Sequence, residues 1–274
     1  MIPAAFDYTR AESVDHAIEL LSSTEDAKIL AGGHSLLPLM KLRLARPSML
    51  VDIGRIEDLS YIREDGDEVA IGALTRHHDV ANSDALHDLC PIVSYTAGEI
   101  GDPQVRHMGT IGGSVAHADP ASDMPTVLVA LEATLTVRGP GGASRVVGAR
   151  DFFKGLFTPD LAANEVLAEI RVPKTAGRGW SYIKFHRRAQ DWAMVGVAAL
   201  NGDSPAIALT NMGEIPIRAS AVEQALAGGA DPATAAQQAA EGTSPPSDAF
   251  ASAEYRRELA KVLVRRALEG AMSG

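Results

Sequence analysis

Two short glycine-dense segments, Ala31-Gly32-Gly33-His34-Ser35 and Thr110-Ile111-Gly112-Gly113-Ser114, limit what this chain can build. Adjacent glycines remove two Cβ atoms in a row, which lets the backbone pass close to a neighbour or a ligand. The first segment sits between an apolar run, Lys28–Ala31, that reads as a strand, and Leu36–Leu44, which reads as a short helix. A strand–glycine–helix turn offers unpaired N–H groups and the positive end of the helix dipole, a natural cradle for a pyrophosphate. The second segment runs into His117-Ala118-Asp119-Pro120-Ala121-Ser122-Asp123, with a helix start expected just downstream, and offers the same chemistry. A lone Gly-Gly pair is commonly no more than a tight turn. Two such segments in one domain suggest a ligand with two ends or a long phosphate bridge.

Several nucleotide and catalytic motifs are absent. There is no G-x-x-x-x-G-K-[ST] and no G-x-G-x-x-G, which disfavours a P-loop NTPase and a Rossmann dinucleotide site. Gly33-His34-Ser35 and Gly112-Gly113-Ser114 each resemble half a nucleophile elbow without its closing glycine, a poor fit to a serine hydrolase. The eight histidines show no metal-binding spacing, and His77-His78 reads as a solvated pair. Cys90 is the only cysteine, so the chain cannot form an internal disulfide, a Cys-based zinc site or an iron–sulfur cluster. Any redox cofactor is then organic or held by a partner, and the chain reads as intracellular. A net charge of −10 argues against nucleic acid as the main partner. The N-terminus, MIPAAFDYTRAES, has no signal-type apolar core, and no run is long enough to span a bilayer.

Hydrophobic periodicity supplies the outline. Ser13 reads as an N-cap ahead of Val14, Ala17, Ile18 and Leu21 at helical spacing. Leu50–Ile53 reads as a buried strand that completes a small unit over about 1–56. A second unit, about 57–175, takes a strand at Val69–Ala73 and helices near 76–81 and 91–99. It continues with a helix behind Ser122, a hairpin around Pro140-Gly141-Gly142, and a closing strand at Glu165–Val172. Lys174–Gly179 reads as a linker. Beyond it, over 176–274, Ser181–His186, Met194–Leu200 and Ala206–Thr210 read as a three-stranded antiparallel meander, followed by helices that end in Ser252–Glu269. Arg256, Arg257, Lys261, Arg265 and Arg266 crowd that last helix, as a solvated basic face or as a partner contact.

Taken together, AGGHSLLPLMKLRLARP and TIGG resemble the FAD-binding subunits of molybdenum hydroxylases. The likeness runs along nearly the whole chain, through IPAAFDY, DPQVRHMGTIGG, AHADPASDMP, ARDFFKGLF and EYRRELAKVLVRRAL. Within the family it is strongest to the medium chain of aerobic carbon monoxide dehydrogenase, which the LTNM…P pattern at Leu209–Pro216 also fits. The resemblance implies an α+β fold. A two-subdomain FAD-binding domain of the PCMH/vanillyl-alcohol-oxidase type, 1–175, precedes a C-terminal flavoprotein domain, 176–274, with a three-stranded antiparallel sheet and helices.

The resemblance also implies a site. Ala31, Gly32, Gly33, His34, Ser35 and Leu36 together with Thr110, Ile111, Gly112, Gly113 and Ser114 would hold the FAD pyrophosphate and its surroundings. Asp123 would lie toward the ribose or adenine end, Lys184 near the flavin, and Ile100 against the ring system. Trp192 stands where the relatives carry a stacking tyrosine, and keeps the flat face without the hydroxyl; as a residue of this chain alone it could equally be a core strand residue. His107 replaces an asparagine of many relatives.

The implied role is electron transfer. A large partner subunit would oxidise substrate at a molybdenum cofactor, and a small subunit would relay electrons through two 2Fe-2S clusters to FAD here, in a dimer of heterotrimers. An external acceptor such as a quinone would take them on. The assembly is expected in the cytoplasm, against the inner face of the membrane through its partners. Carbon monoxide is the first-choice substrate, with an aldehyde or N-heterocycle as the alternative, and a stand-alone flavin-binding protein as the reading from another class.

Overall fold

A computed structural model describes residues 2–273. The first unit is a three-stranded parallel sheet in the order β1 (Asp7–Arg10), β3 (Met49–Asp52), β2 (Lys28–Leu30). Helix α1 (Val14–Ser23) covers it, capped by Ser13, whose Oγ accepts from the His16 amide at 3.1 Å. Ala17, Ile18 and Leu21 are buried against Val51 and Ile53, as the helical spacing predicts. Helix α2 (Leu36–Lys41) follows the first glycine segment and is shorter than its apolar run suggests.

The second unit is a five-stranded antiparallel sheet in the order β4 (Ile62–Asp65), β5 (Glu68–Gly72), β10 (Val166–Pro173), β6 (Thr134–Arg138), β7 (Ser144–Gly148). Between β5 and β6 run six helices. These are α3 (His77–Ala81), α4 (Asp84–Leu89), α5 (Pro91–Gly98), α6 (Pro103–Met108), α7 (Ile111–His117) and α8 (Asp123–Ala130). Helix α9 (Ala149–Phe152) leads into a two-stranded ribbon, β8 (Phe153–Gly155) and β9 (Thr158–Pro159). The two units share a core in which Val166 and Ala168 of β10 meet Ile18, Val51 and Ile53.

The C-terminal sheet runs β11 (Trp180–Phe185), β12 (Val195–Leu200), β13 (Ala206–Thr210), β14 (Ile217–Arg218), all antiparallel. The two-residue β14 extends the expected meander by one edge strand. Helices α10 (Ser220–Ala227) and α11 (Pro232–Ala235) precede the long α12 (Ala253–Ser273). Every residue of β12 is buried, because the sheet is covered on both faces. Val195, Val197 and Ala199 meet Ala260, Leu263, Val264 and Ala267 of α12, whereas Ala198 and Leu200 join the core of the second unit.

Helix α8 explains that second contact. All eight of its residues are buried. It lies between the five-stranded sheet and the C-terminal sheet, with Met124, Val127 and Leu128 in one core with Leu135, Ile170, Ala198 and Ala208. Burying each large aliphatic side chain contributes about 1.5–3 kcal/mol. A hydrogen bond from Thr210 Oγ1 to Thr126 Oγ1, 2.7 Å and buried, fixes the register between the two sheets' helix and strand.

Candidate cofactor site

The two glycine segments meet. Gly32 packs so tightly on the turn after α6 that a Cβ there would stand 2.2 Å from the Met108 carbonyl oxygen and 2.8 Å from Gly109 Cα. A Cβ on Gly113 would lie 3.9 Å from Ala31 Cβ. The segments thus form two sides of one seam between the first and second units.

Their hydrogen bonding differs. Among the described residues, the backbone amides of Gly32, Gly33, His34, Ser35 and Leu36 donate to no protein acceptor. Gly33 adopts φ +76°, a left-handed turn open to glycine, and Ser35 caps α2 without a side-chain hydrogen bond. A row of free amides with His34 exposed and its neighbours half-buried is suited to an anion. In the second segment the amides are taken. Ile111 donates to the Thr75 carbonyl at 3.0 Å, Gly112 to the Ala73 carbonyl at 2.9 Å, Gly113 to Thr110 Oγ1 at 3.1 Å, and Ser114 to the Thr110 carbonyl at 3.0 Å. Its glycines lie inside the first turn of α7 rather than ahead of a later helix, so the expected likeness in chemistry does not hold. Ile111 and Gly112 are buried, and a Cβ on Gly112 would meet the Ala73 carbonyl oxygen at 2.6 Å. Gly113 and Ser114 are half-buried, with Gly113 on the side of the first segment.

Below this seam lies His77, 4% exposed. Its ring stands 2.9 Å from where a Gly109 Cβ would be, and its Nδ1 has no hydrogen-bond partner among the described residues. Burial, with Arg106 and Arg76 nearby, pushes its pKa down to about 4 and holds the imidazole neutral. It is not the solvated residue its sequence context suggests. His78 is more open, and its ring stacks on that of His107 at 4.0 Å.

A polar cluster joins the second unit to the C-terminal sheet. The Asp123 side chain, 5% exposed, accepts from Lys184 Nζ at 2.8 Å through Oδ2 and from the Tyr182 hydroxyl at 2.6 Å through Oδ1. Lys184 Nζ also donates to the Glu99 carbonyl at 3.0 Å, one residue before Ile100. Burial raises the Asp123 carboxyl above the usual range, against the opposing pull of Lys184, and lifts the Tyr182 phenol well above its own. Ile100 is half-buried against the main core, its carbonyl held by Arg106 at 2.9 Å. Asp123, Lys184 and the Glu99–Ile100 turn therefore assemble as one group, with Tyr182 added, so the expected separation of Asp123 at the adenine end from Lys184 and Ile100 at the flavin does not hold.

Trp192 is 57% exposed on the loop between β11 and β12, which excludes the core-strand reading. Arg256 departs from the basic face expected of the last helix: it is 1% exposed and paired with Asp248 at 2.6 Å. Asn211, at φ +59°, bridges Pro120 and Ala193. Sequence reasoning missed Tyr182, Asn211 and Arg256 as site-related residues, although the LTNM pattern had singled out the stretch that holds Asn211. A cavity of about 860 Å³, lined by Pro120, Leu156, Ile215, Pro216, Arg218 and Pro245 among others, includes none of the expected cofactor residues.

Comparison with known proteins agrees along the whole chain. The FAD binding domain in molybdopterin dehydrogenase matches residues 4–175, and the CO dehydrogenase flavoprotein C-terminal domain matches residues 180–271. The carbon monoxide dehydrogenase medium chain of Afipia carboxidovorans is 42% identical, over 99% of this chain and 98% of the relative. The glyceraldehyde dehydrogenase medium chain of Sulfolobus acidocaldarius is 41% identical, over 98% and 99% respectively. The solved carbon monoxide dehydrogenase from Hydrogenophaga pseudoflava that lacks the Mo-pyranopterin moiety has a chain that superposes with a TM-score of 0.96, at 44% identity over 100% of this chain and 99% of that one. The chain belongs to the molybdenum hydroxylase family, as an FAD-binding oxidoreductase subunit of the carbon monoxide dehydrogenase medium-chain type.

Proposed function

We propose that this subunit holds FAD with its pyrophosphate on the free amides of Gly32–Leu36, and that the flavin serves as an electron relay. The observation that carries the reading is the row of unpaired amides at the seam, in a chain whose full length matches flavoprotein medium chains. The residues fit the cofactor. Five successive amides have no protein partner among the described residues and are available to a diphosphate, in a turn that Gly33 permits by its φ of +76°. Thr110, Gly113 and Ser114 form the facing wall, with Ile111 and Gly112 anchoring it from behind. Asp123 retains lone pairs beyond those used by Lys184 and Tyr182, enough for a sugar hydroxyl. Lys184 and Ile100 then flank the ring system, and Trp192 offers an exposed flat face beside it. Bound FAD supplies two-electron and one-electron redox chemistry; the protein binds, orients and screens it.

With one cysteine, the chain holds no iron–sulfur cluster of its own, and an external electron donor is part of this reading. We assign that role to a small subunit carrying 2Fe-2S clusters, fed by a large molybdenum subunit, in a dimer of heterotrimers, with a quinone or similar external acceptor. The assembly works in the cytoplasm, at the inner membrane face through its partners. Carbon monoxide is the first-choice substrate. Oxidation of an aldehyde is the second reading, favoured by the 41% identity to a glyceraldehyde dehydrogenase medium chain.

Reconstitution tests the role. With all three subunits, substrate is expected to bleach the flavin absorbance under anaerobic conditions; this chain alone, loaded with FAD, is expected to stay oxidised. Substrate-dependent bleaching of the isolated chain would overturn the relay reading. Carbon monoxide and glyceraldehyde, offered separately to the complete assembly, decide between the two substrates.

A further inference from the structure

The loop that carries Trp192 is exposed at its tip and held at its base by buried groups. Met194 closes the β11–β12 hairpin through its amide to the Phe185 carbonyl at 2.8 Å. The two carbonyls that follow Trp192 are both taken from below. Asn211 Nδ2 donates to the Ala193 carbonyl at 2.8 Å, and the Arg256 guanidinium donates to the Met194 carbonyl. Asn211 is 9% exposed and Arg256 1% exposed. A buried guanidinium is costly unless its hydrogen bonds are met; here one arm goes to Asp248 at 2.6 Å and the other to a loop carbonyl, while Nε has no partner among the described residues. The same Asn211 donates its backbone amide to the Pro120 carbonyl at 2.8 Å, in the turn between α7 and α8. One residue therefore grips both the second glycine helix's exit and the loop of the exposed indole.

We propose that Asn211 and Arg256 are positioning residues for Trp192. They fix the indole at the flavin and make its position follow the turn between α7 and α8. This rests on the reading that Trp192 flanks the flavin. An exposed aromatic on a free loop would sample many orientations. One whose next two carbonyls are anchored keeps its backbone in place and so narrows the directions its face can take, the arrangement a stacking partner needs.

The test uses the full chain with Trp180→Phe, so that Trp192 is the only tryptophan of the original two. Asn211→Gly is the main variant, because glycine accepts φ +59° without strain while losing the side-chain donor. Time-resolved anisotropy of the apo chain reads indole mobility, and fluorescence quenching on titration with FAD reads indole–flavin proximity. In Asn211→Gly the anisotropy is expected to fall and the quench at saturation to become shallower, with FAD bound about fivefold more weakly, the size of one neutral hydrogen bond. Arg256→Lys, which keeps the charge opposite Asp248 and loses the fork to Met194, is expected to change both readouts in the same direction and serves if the first variant does not fold. A quench identical to the parent's in the folded variant overturns the proposal. Trp192→Ala separates the two layers of the argument. If it leaves flavin spectrum and affinity unchanged, the placement of Trp192 beside the flavin is wrong and the proposal falls with it. If it changes them while the Asn211 variant does not, only the positioning role is lost.

Discussion

The two glycine segments look alike in sequence and do opposite things. In the first, the backbone leaves five successive amides without protein partners among the described residues. In the second, the four amides from Ile111 to Ser114 are all paired within the chain, and Gly112 is there because Ala73 leaves no room for a Cβ. Close packing calls for glycine in both segments, at Gly32 against the Met108 carbonyl as at Gly112 against Ala73, and only the first segment also leaves its amides free. The hydrogen-bond partners of the amides, not the residue type, tell the two apart.

The largest expected effect breaks the likeness by substitution. Gly112→Val puts a branched side chain against the Ala73 backbone, and overpacking of this kind costs about 3 kcal/mol or more where backbone must move. Thermal unfolding of the apo chain should show a Tm drop of several degrees or failure to fold. In Gly33→Val the Cβ first meets the Leu37 and Leu30 side chains rather than backbone, with strain from φ +76° of about 1–2 kcal/mol. It is expected to fold and to bind FAD at least about tenfold more weakly, which is about 1.4 kcal/mol, by equilibrium titration. Equal loss of fold in both variants would erase the distinction.

A second effect comes from His77, beneath the second segment. Its folded pKa of about 4 lies below the ordinary value of 6.5, so the unfolded chain takes up a proton that the folded chain refuses. The sign follows: the contribution is fully present above pH 6.5 and is lost as the pH falls toward 4, with a ceiling of about 3 kcal/mol. His77→Gln is expected to flatten the difference in urea unfolding between pH 7.5 and pH 5 relative to the parent. An unchanged pH slope in the variant would show that His77 is not the titrating group.

The smallest effect sharpens the comparison at the cap of α7. Thr110→Ala removes the acceptor for the Gly113 amide, which costs about 1 kcal/mol of stability. It is also expected to free one amide on the side facing Ala31, so FAD affinity should fall less than stability does. Parallel denaturation and titration curves measure the two.

Much of the scaffold was legible because its pattern is long. The spacing of Val14, Ala17, Ile18 and Leu21, and the unbroken apolar run of β12, signal elements whose burial the structure bears out. The short elements β1, α4 and α6 escaped notice, since they are mostly exposed and carry little apolar pattern: α6 buries no residue, α4 only Leu86 and β1 none. At the site, the glycines announced themselves, but which amides stay free depends on Ala73 and Thr75, distant in sequence and unremarkable as residue types. Asn211 and Arg256 were hidden for the same reason: their work is to hold carbonyls, and any residue has a carbonyl.

Helix α8 carries one last consequence. A helix buried on every side by two sheets from different parts of the chain is a shared core, not a border. Its removal would strip an apolar face from each sheet at once. The linker crosses the surface at Ala176 and Gly177, both exposed, yet the material it connects is bound by that helix rather than by the peptide bond. A protease nick at the linker would leave two fragments that stay together as one particle, and neither half, made alone, would keep the wall against which the flavin is placed.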